Sequence, residues 1–198
     1  MRKRRIAGWI VGTIVLVFLA LAAWMLGPAL LPPKQIEAGI ALNAKAPITL
    51  ELRDAKGQPT TLVAQMGQKG MVLLLVRSAD WCPFCKAQLK RTQEIAPQAG
   101  SAGFKIVSVS YDEPKILEAF AAEGGIGFSM LSDKGSRFID AVGLRDPQYE
   151  ADSRAFGVPR ASILILAPDG TVKAKYIADD YRSRPSNEVV LEMIAKAD

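Results

Sequence analysis

Residues 71 to 88 read MVLLLVRSADWCPFCKAQ, and this stretch decides the fold class. Its first part, Met71 to Arg77, is a continuous apolar run, which predicts a central strand covered on both sides. Its second part holds both cysteines of the chain, Cys82 and Cys85, with two residues between them. The residues from Pro83 to about Ala96 favour a helix, since proline is tolerated in a first turn. A buried strand that leads to a cysteine pair at a helix start predicts an α/β arrangement.

Patterns on both sides of this stretch predict the remaining elements. Alternation from Ile48 to Leu62 around the Lys56-Gly57 step predicts a β-hairpin. Pro97 is expected to close the first helix, and Asp112 to cap a later one that Gly124-Gly125 terminate. The other predicted elements are strands over 104–110 and 128–131, a short helix over 136–142, two strands around the Asp169-Gly170 turn, and a C-terminal helix. This order predicts one α/β domain with a central mixed sheet.

The N-terminal segment 6–26 contains 21 residues without a charge. At a rise of about 1.5 Å per residue, a helix of that length spans roughly 30 Å, the thickness of the hydrocarbon core of a bilayer. We therefore predict one transmembrane helix ahead of the domain. A cleaved signal peptide is the alternative, although its apolar region is usually about 7 to 15 residues long, and no convincing cleavage site follows Leu26.

Charge on the two sides of this segment predicts its orientation. Four basic residues lie at positions 2–5, so residues 1–5 are expected to form a cytoplasmic tail. Residues 27–44 are then a linker, and 45–198 form the folded domain on the outer side of the membrane. The prediction is a single-pass protein of the inner (cytoplasmic) membrane whose domain lies in the periplasm or another extracytoplasmic space.

The basic tail also accounts for most of the net charge of +5. After it, 21 basic residues face 20 acidic ones, and no basic stripe interleaved with aromatic residues is found past residue 33. Binding of nucleic acid is therefore not expected.

The cysteine pair suits thiol-disulfide chemistry. Thiolate is the reactive form of cysteine, and the unpaired N–H groups and dipole of a helix start stabilise it. Cys82 is predicted as the attacking thiol, while Cys85, one turn later, would resolve a mixed disulfide held on Cys82. Arg77 and Lys86 would add positive charge if their side chains point toward the pair.

Several other uses of the pair are excluded because the chain has no histidine. Cys-His nucleophilic catalysis, a C-x-x-C-H haem attachment site and a Cys-His zinc site all require one. We expect no metal and no cofactor. A purely structural disulfide stays open as an alternative, although a bridge across so short a loop restrains few unfolded conformations.

Three segments, ADWCPFCKAQL from residue 79, VSVSYDEPKILEAFAAEGGIGFSMLSD from residue 107 and GVPRASILILAPDG from residue 157, together resemble the thioredoxin-like redoxins of the AhpC/TSA type. The resemblance covers about residues 45–197. It implies a three-layer thioredoxin-like sandwich with a central mixed sheet. It also implies that the Val158-Pro159 bond is cis, that Pro159 packs against the cysteine pair, and that the backbone groups of Val158 are free to pair with a substrate. An ordinary trans proline is the alternative.

The chain departs from the family at two places. Peroxiredoxins carry P-x-x-x-T/S-x-x-C around their peroxide-reacting cysteine, whereas Leu75 and Ala79 occupy those positions here. Thioredoxin has Gly-Pro between its cysteines, and this chain has Pro83-Phe84. Asp80 could relay a proton to Cys82 or be an exposed loop carboxylate, and Trp81 is expected to cover the pair and contact partners.

The sequence thus predicts a membrane-anchored, exported thiol-disulfide oxidoreductase that exchanges with protein thiols or disulfides and with an unidentified redox partner. One alternative is a peroxiredoxin-like peroxidase in which Cys82 reacts with peroxide and Cys85 resolves the sulfenic acid. A second is a non-catalytic thioredoxin-like binding module with an inert disulfide.

Overall fold

The structure is a computed structural model that describes residues 35–197. The predicted cytoplasmic tail, the transmembrane helix and the first part of the linker lie outside these residues. Within 35–197, no helix has both the length and the apolar character needed to cross a membrane.

A mixed sheet of seven strands, in the order β2-β1-β5-β4-β3-β6-β7, forms the centre of the described chain. The strands are β1 (Leu52–Arg53), β2 (Pro59–Thr60), β3 (Gly70–Leu75), β4 (Phe104–Ser110), β5 (Ser129–Ser132), β6 (Ser162–Leu166) and β7 (Val172–Ile177). The helices are α1 (Pro83–Glu94), α2 (Ala96–Ser101), α3 (Pro114–Gly124), α4 (Arg137–Ala141) and α5 (Asn187–Ala197), with a 3₁₀ turn at Val63–Gln65. The predicted mixed α/β sheet is confirmed.

Strand β3 is an interior strand of this sheet and carries the chain to the cysteine pair. It runs parallel to β4 and antiparallel to β6, so that Leu73 has Val107 on one side and Leu164 on the other. Every residue of β3 is buried. This burial on both faces is the reason for the unbroken apolar run in the sequence.

Two apolar cores cover the two faces of the sheet. Alternate β3 residues, such as Val72 and Leu74, join a core with buried side chains of α1, α3 and α5. The intervening residues, such as Leu73, join a second core that contains Phe138 and Ile139 of α4. The domain therefore has three layers, as the resemblance implied.

Two predicted helix boundaries differ from the structure. Helix α1 ends at Glu94, and Pro97 lies in the first turn of α2 instead of closing α1. Proline fits there because the N–H that it lacks would have no helical partner. Glu113, and not Asp112, is the N-cap residue of α3. The side chain of Asp112 is turned inward, toward the loop that precedes Cys82.

The segment before β1 is more ordered than the predicted linker. Ile36 donates its backbone N–H to the carbonyl of Ile177 (3.0 Å), and Asn43 donates to the carbonyl of Val172 (2.8 Å). These bonds satisfy backbone groups of β7 that would otherwise form an open sheet edge. Residues 35–44 therefore pack along β7.

Candidate active site

The cysteine pair lies where β3 has ended and α1 begins. Cys82 is the N-cap residue of α1, and Pro83 opens the first turn. The N–H of Cys85 donates to Sγ of Cys82 over 3.2 Å. A hydrogen bond of this kind favours negative charge on the accepting sulfur, and the helix start adds to it. The position of Cys82 thus suits a nucleophilic thiolate.

The two cysteines form a disulfide with their Cα atoms 5.2 Å apart. Both sulfur-bearing residues are buried, with 2% of Cys82 and none of Cys85 exposed. Phe84, one of the two residues between them, is 38% exposed and contacts the ring of Tyr181 edge-on, with centroids 5.8 Å apart. Cys82 is thus the only one of the two cysteines with any exposed surface.

An arginine side chain contacts the fully buried cysteine of the pair. The Nη2 atom of Arg184, in the loop before α5, lies 3.5 Å from Sγ of Cys85. Burial, and next the positive charge of Arg77, lower the pKa of Arg184 to about 10. Arg184 therefore presents a positive charge to the sulfur of Cys85.

Arg77 is held by aromatic rings. It is 3% exposed and donates to the hydroxyl of Tyr149. Its guanidinium lies 5.4 Å from the ring centroid of Trp81, 5.0 Å from that of Tyr149 and 4.8 Å from that of Tyr181. Cation–π contacts in a desolvated place can each contribute about 2 kcal/mol. They make up in part for the lost hydration of this buried cation.

Asp112 organises the loop between β3 and Cys82. Its carboxylate accepts from the hydroxyl of Ser78 (2.8 Å), the N–H of Ala79 (2.7 Å) and the hydroxyl of Ser110 (2.9 Å). The oxygen of Ser78 in turn accepts from the N–H groups of Asp80 and Trp81. Burial raises the pKa of Asp112 above its ordinary value, although these hydrogen bonds oppose the shift.

The two positions that depart from the peroxiredoxin pattern, 75 and 79, hold apolar residues. Leu75 and Ala79 are both buried, and neither carries a hydroxyl. Ser78, one residue away from the expected position, has its hydroxyl bonded to Asp112. The described site thus lacks a hydroxyl at the position from which peroxiredoxins polarise peroxide.

The other predicted site residues near the pair are half-buried or exposed. Trp81 is half-buried and donates its ring N–H to the hydroxyl of Tyr111 (3.0 Å). Asp80 is exposed, and Pro83 is exposed at the start of α1. The ammonium of Lys86 lies over the ring of Phe120, 6.0 Å from its centroid, and its described contacts include neither sulfur.

The predicted cis bond at Val158-Pro159 was wrong, because residues 35–197 contain no cis peptide bond. The N–H of Asp146 donates to the carbonyl of Val158 (2.9 Å), and the N–H of Arg160 donates to the carbonyl of Leu144 (2.7 Å). This antiparallel pairing holds the segment extended. The N–H of Val158 itself donates to the carbonyl of Ala155 (3.2 Å), so the backbone of Val158 is not free for a substrate.

Three side chains of the site were missed by sequence reasoning, namely Tyr149, Tyr181 and Arg184. They come from loops without periodicity, and Arg184 is 99 residues from the cysteine that it contacts. No sequence signal marks such a contact. Across the described residues, no group of three or more potential metal ligands is found.

Comparison with known proteins connects this geometry to a family. The sequence model of the AhpC/TSA family matches residues 42–175. The chain belongs to the AhpC/TSA family. The matched part of this AhpC/TSA protein contains β1 to β6, helices α1 to α4 and both cysteines.

Curated relatives of this AhpC/TSA protein include peroxiredoxins and thiol-disulfide oxidoreductases. Peroxiredoxin Q of Gentiana triflora is 27% identical over 73% of this chain and 65% of its own length. Thiol-disulfide oxidoreductase ResA of Halalkalibacterium halodurans is 24% identical over 55% of this chain and 61% of its own length. The chain thus spans less than two thirds of either relative.

Solved structures support the thioredoxin-like fold. Peroxiredoxin Q of Xanthomonas campestris superimposes with a TM-score of 0.65 at 25% identity, over 81% of this AhpC/TSA chain and 99% of that structure. Peroxidoxin BcpB of Mycobacterium tuberculosis has a TM-score of 0.64 at 16% identity. The second likeness concerns the fold alone.

Proposed function

We propose that this AhpC/TSA protein is a thiol-disulfide oxidoreductase that cycles Cys82 and Cys85 between dithiol and disulfide. The observation that carries the proposal is the placement of Cys82 at the N-cap and Cys85 in the first turn of α1, with the N–H of Cys85 donating to Sγ of Cys82. A pair so placed can close its disulfide within the folded helix. The apolar residues at positions 75 and 79 favour disulfide exchange over peroxide reduction.

In the reducing direction, the thiolate of Cys82 attacks a disulfide sulfur of a client protein. A bond forms between Cys82 and the client, and the other client sulfur leaves with the electron pair and takes a proton from water. Cys85 then attacks Sγ of Cys82, the Cys82–client bond breaks, and the Cys82–Cys85 disulfide forms. Two electrons pass to the client, and an external dithiol restores the pair.

The proposal places the domain outside the cytoplasm, tethered by a helix over 6–26. Its support is the uncharged 21-residue segment with four basic residues before it. The expected partners are exported proteins with cysteines and a membrane-side electron donor or acceptor. Reduction of the pair in intact cells or spheroplasts with a membrane-impermeant phosphine, followed by a membrane-impermeant maleimide, tests this location, since a cytoplasmic domain would stay unlabelled until lysis.

Cys85→Ser is expected to trap clients on Cys82. Without the resolving thiol, the mixed disulfide can be released only by external thiols, so it should accumulate. The measurement is acid quenching and alkylation of cells that express the full chain, followed by gels with and without reductant. Adducts sensitive to reductant should appear with Cys85→Ser and be absent from the Cys82→Ser/Cys85→Ser control. Their absence from both variants would contradict the proposed exchange.

A peroxidase is the second candidate, and the peroxiredoxin names of the relatives are the observation that favours it. Because Ala79 offers no hydroxyl, we expect slow oxidation of the reduced chain by hydrogen peroxide, and Ala79→Thr should accelerate it roughly tenfold or more. Ala79→Val, which has the same shape without the hydroxyl, is the matched control. Fast peroxide consumption by the unaltered chain would favour the peroxidase.

A further inference from the structure

Arg184 contacts the sulfur of Cys85, the cysteine that is expected to resolve the mixed disulfide. Its Nη2 lies 3.5 Å from Sγ of Cys85. Its Nη1 donates to the backbone carbonyls of Tyr181 (2.6 Å) and Ser183 (2.7 Å), which fix the guanidinium in the loop between β7 and α5. One edge of the guanidinium is thus anchored to the backbone, and another atom faces the sulfur.

The guanidinium of Arg184 is subject to the positive charges of two other arginines. Its Nε is buried and without a hydrogen-bond partner in the part of the chain that the structure describes. The charged and titratable groups that act on it are the cations Arg77 and Arg91, the phenol of Tyr176 and the carboxylate of Asp180. A buried cation beside two others is stabilised by any negative charge that forms next to it.

The loop holds its place beside α1 through other contacts. Arg91 of α1 donates to the carbonyl of Pro185 (2.9 Å), and Asn187 donates its side-chain amide to the carbonyl of Arg91 (2.9 Å). These bonds attach the residues that follow Arg184 to α1 and do not use its guanidinium. A substitution at position 184 can therefore remove the charge while the loop stays attached.

We propose that Arg184 stabilises the thiolate of Cys85 and thereby makes it an efficient resolving nucleophile. The inference rests on the proposed thiol-disulfide exchange. In most arrangements, a cysteine buried in apolar surroundings keeps its proton, because burial disfavours the thiolate. Here the thiol of Cys85 would lose its proton to solvent, and its negative charge would be balanced by Arg184.

The step that Arg184 assists is the second half of the exchange. The thiolate of Cys85 attacks Sγ of Cys82 in the mixed disulfide and forms the Cys82–Cys85 bond. The bond between Cys82 and the partner sulfur breaks, and the partner leaves as a thiolate with the electron pair. Arg184 changes neither the electron count nor the products, and it increases the fraction of Cys85 that can attack.

The same contact affects the redox equilibrium. Arg184 stabilises a thiolate that exists only in the reduced pair, so its removal should favour the disulfide. Loss of a charge-assisted contact that shifts a thiol pKa by one unit changes the thiolate fraction about tenfold. A tenfold change in the equilibrium constant of a two-electron pair corresponds to about 30 mV.

The test compares the full chain with Arg184→Gln, Arg184→Lys and Arg182→Gln. Arg182 lies two residues away in the same loop and is exposed, so its variant controls for a lost surface charge. The reduced proteins are mixed with 2,2′-dithiodipyridine, a neutral disulfide that arginine does not attract. Release of the first thiopyridone reports attack by Cys82, and release of the second reports resolution by Cys85.

We expect Arg184→Gln to slow the second release about tenfold at pH 7, with little change in the first. Above the pKa of an ordinary thiol, about 8.5, the difference should shrink and then vanish as Cys85 ionises without help. Arg184→Lys should restore part of the rate, and Arg182→Gln should match the unaltered chain. The glutathione equilibrium should shift toward the disulfide in Arg184→Gln alone, by up to about tenfold at a pH above the thiol pKa, where the thiolate is the populated reduced form.

An unchanged second phase and an unchanged pH profile in Arg184→Gln would overturn the role of Arg184 while leaving the exchange proposal in place. A rate loss that persists equally at high pH would also overturn it, since that result indicates displaced cysteines. Failure of the exchange proposal looks different, because the unaltered chain would then show no turnover with protein disulfides.

Discussion

Cys82→Ser should reduce turnover of protein disulfides by roughly three orders of magnitude or more, to the level of a protein-free control. A serine hydroxyl at the N-cap keeps the helix start satisfied but cannot attack sulfur under these conditions. The fold should be retained, since serine is also a favoured N-cap residue. The measurement is reduction of insulin by the full chain in the presence of dithiothreitol.

Cys85→Ser is the matched comparison for Cys82→Ser. Cys85→Ser keeps the attacking thiol, so it should complete the first half of the reaction and stop at the mixed disulfide. Equal loss of the first half-reaction in both variants would contradict the division of roles between the two cysteines. Retained turnover in Cys82→Ser would exclude Cys82 as the nucleophile.

Asp112→Ala should lower the free energy of unfolding by about 2–4 kcal/mol. The substitution leaves three buried donors without an acceptor, from Ser78, Ala79 and Ser110. Since Ser78 also accepts from two N–H groups of the loop before Cys82, disulfide exchange should be slowed as well. Urea unfolding of the full chain measures the stability, with Asp152→Ala in an exposed loop as the control.

The carboxyl of Asp112 also predicts a pH dependence. Burial raises its pKa in the folded state above the ordinary value of 3.8, so the folded protein holds this proton more tightly than the unfolded chain does. That linkage makes stability fall as the pH rises from 3.8 to the folded-state pKa, and stay level above it. The unaltered chain should gain stability relative to Asp112→Asn as the pH is lowered from neutral. A difference that does not vary with pH would contradict the raised pKa.

Much of the fold could be predicted from local patterns. The strand over 104–110 has the bounds of β4, because an apolar run between polar segments has defined ends. The turn at Gly143 and the αL conformation of Gly125 follow from what glycine alone adopts readily. The helix start at Pro83 was also predicted locally, because proline is tolerated in the first turn of a helix.

Partners that are distant in sequence could not be predicted. Asp112 has the pattern of a helix cap, but its donors include Ser78, 34 residues earlier, and the sheet brings the two together. Arg184 lies in an irregular loop whose position depends on Arg91 and Pro185. The segment around Val158-Pro159 pairs with residues 144–146, and resemblance to a family does not reveal this pairing.

In the proposed function, the pair Cys82 and Cys85 exchanges disulfides in preference to reducing peroxide. The most direct test mixes the reduced full chain with equal concentrations of a protein disulfide or hydrogen peroxide and follows loss of the two thiols in time. We expect oxidation by the protein disulfide to be at least about tenfold faster than oxidation by peroxide, because Ala79 provides no hydroxyl. Faster oxidation by hydrogen peroxide would contradict it and identify the chain as a peroxidase.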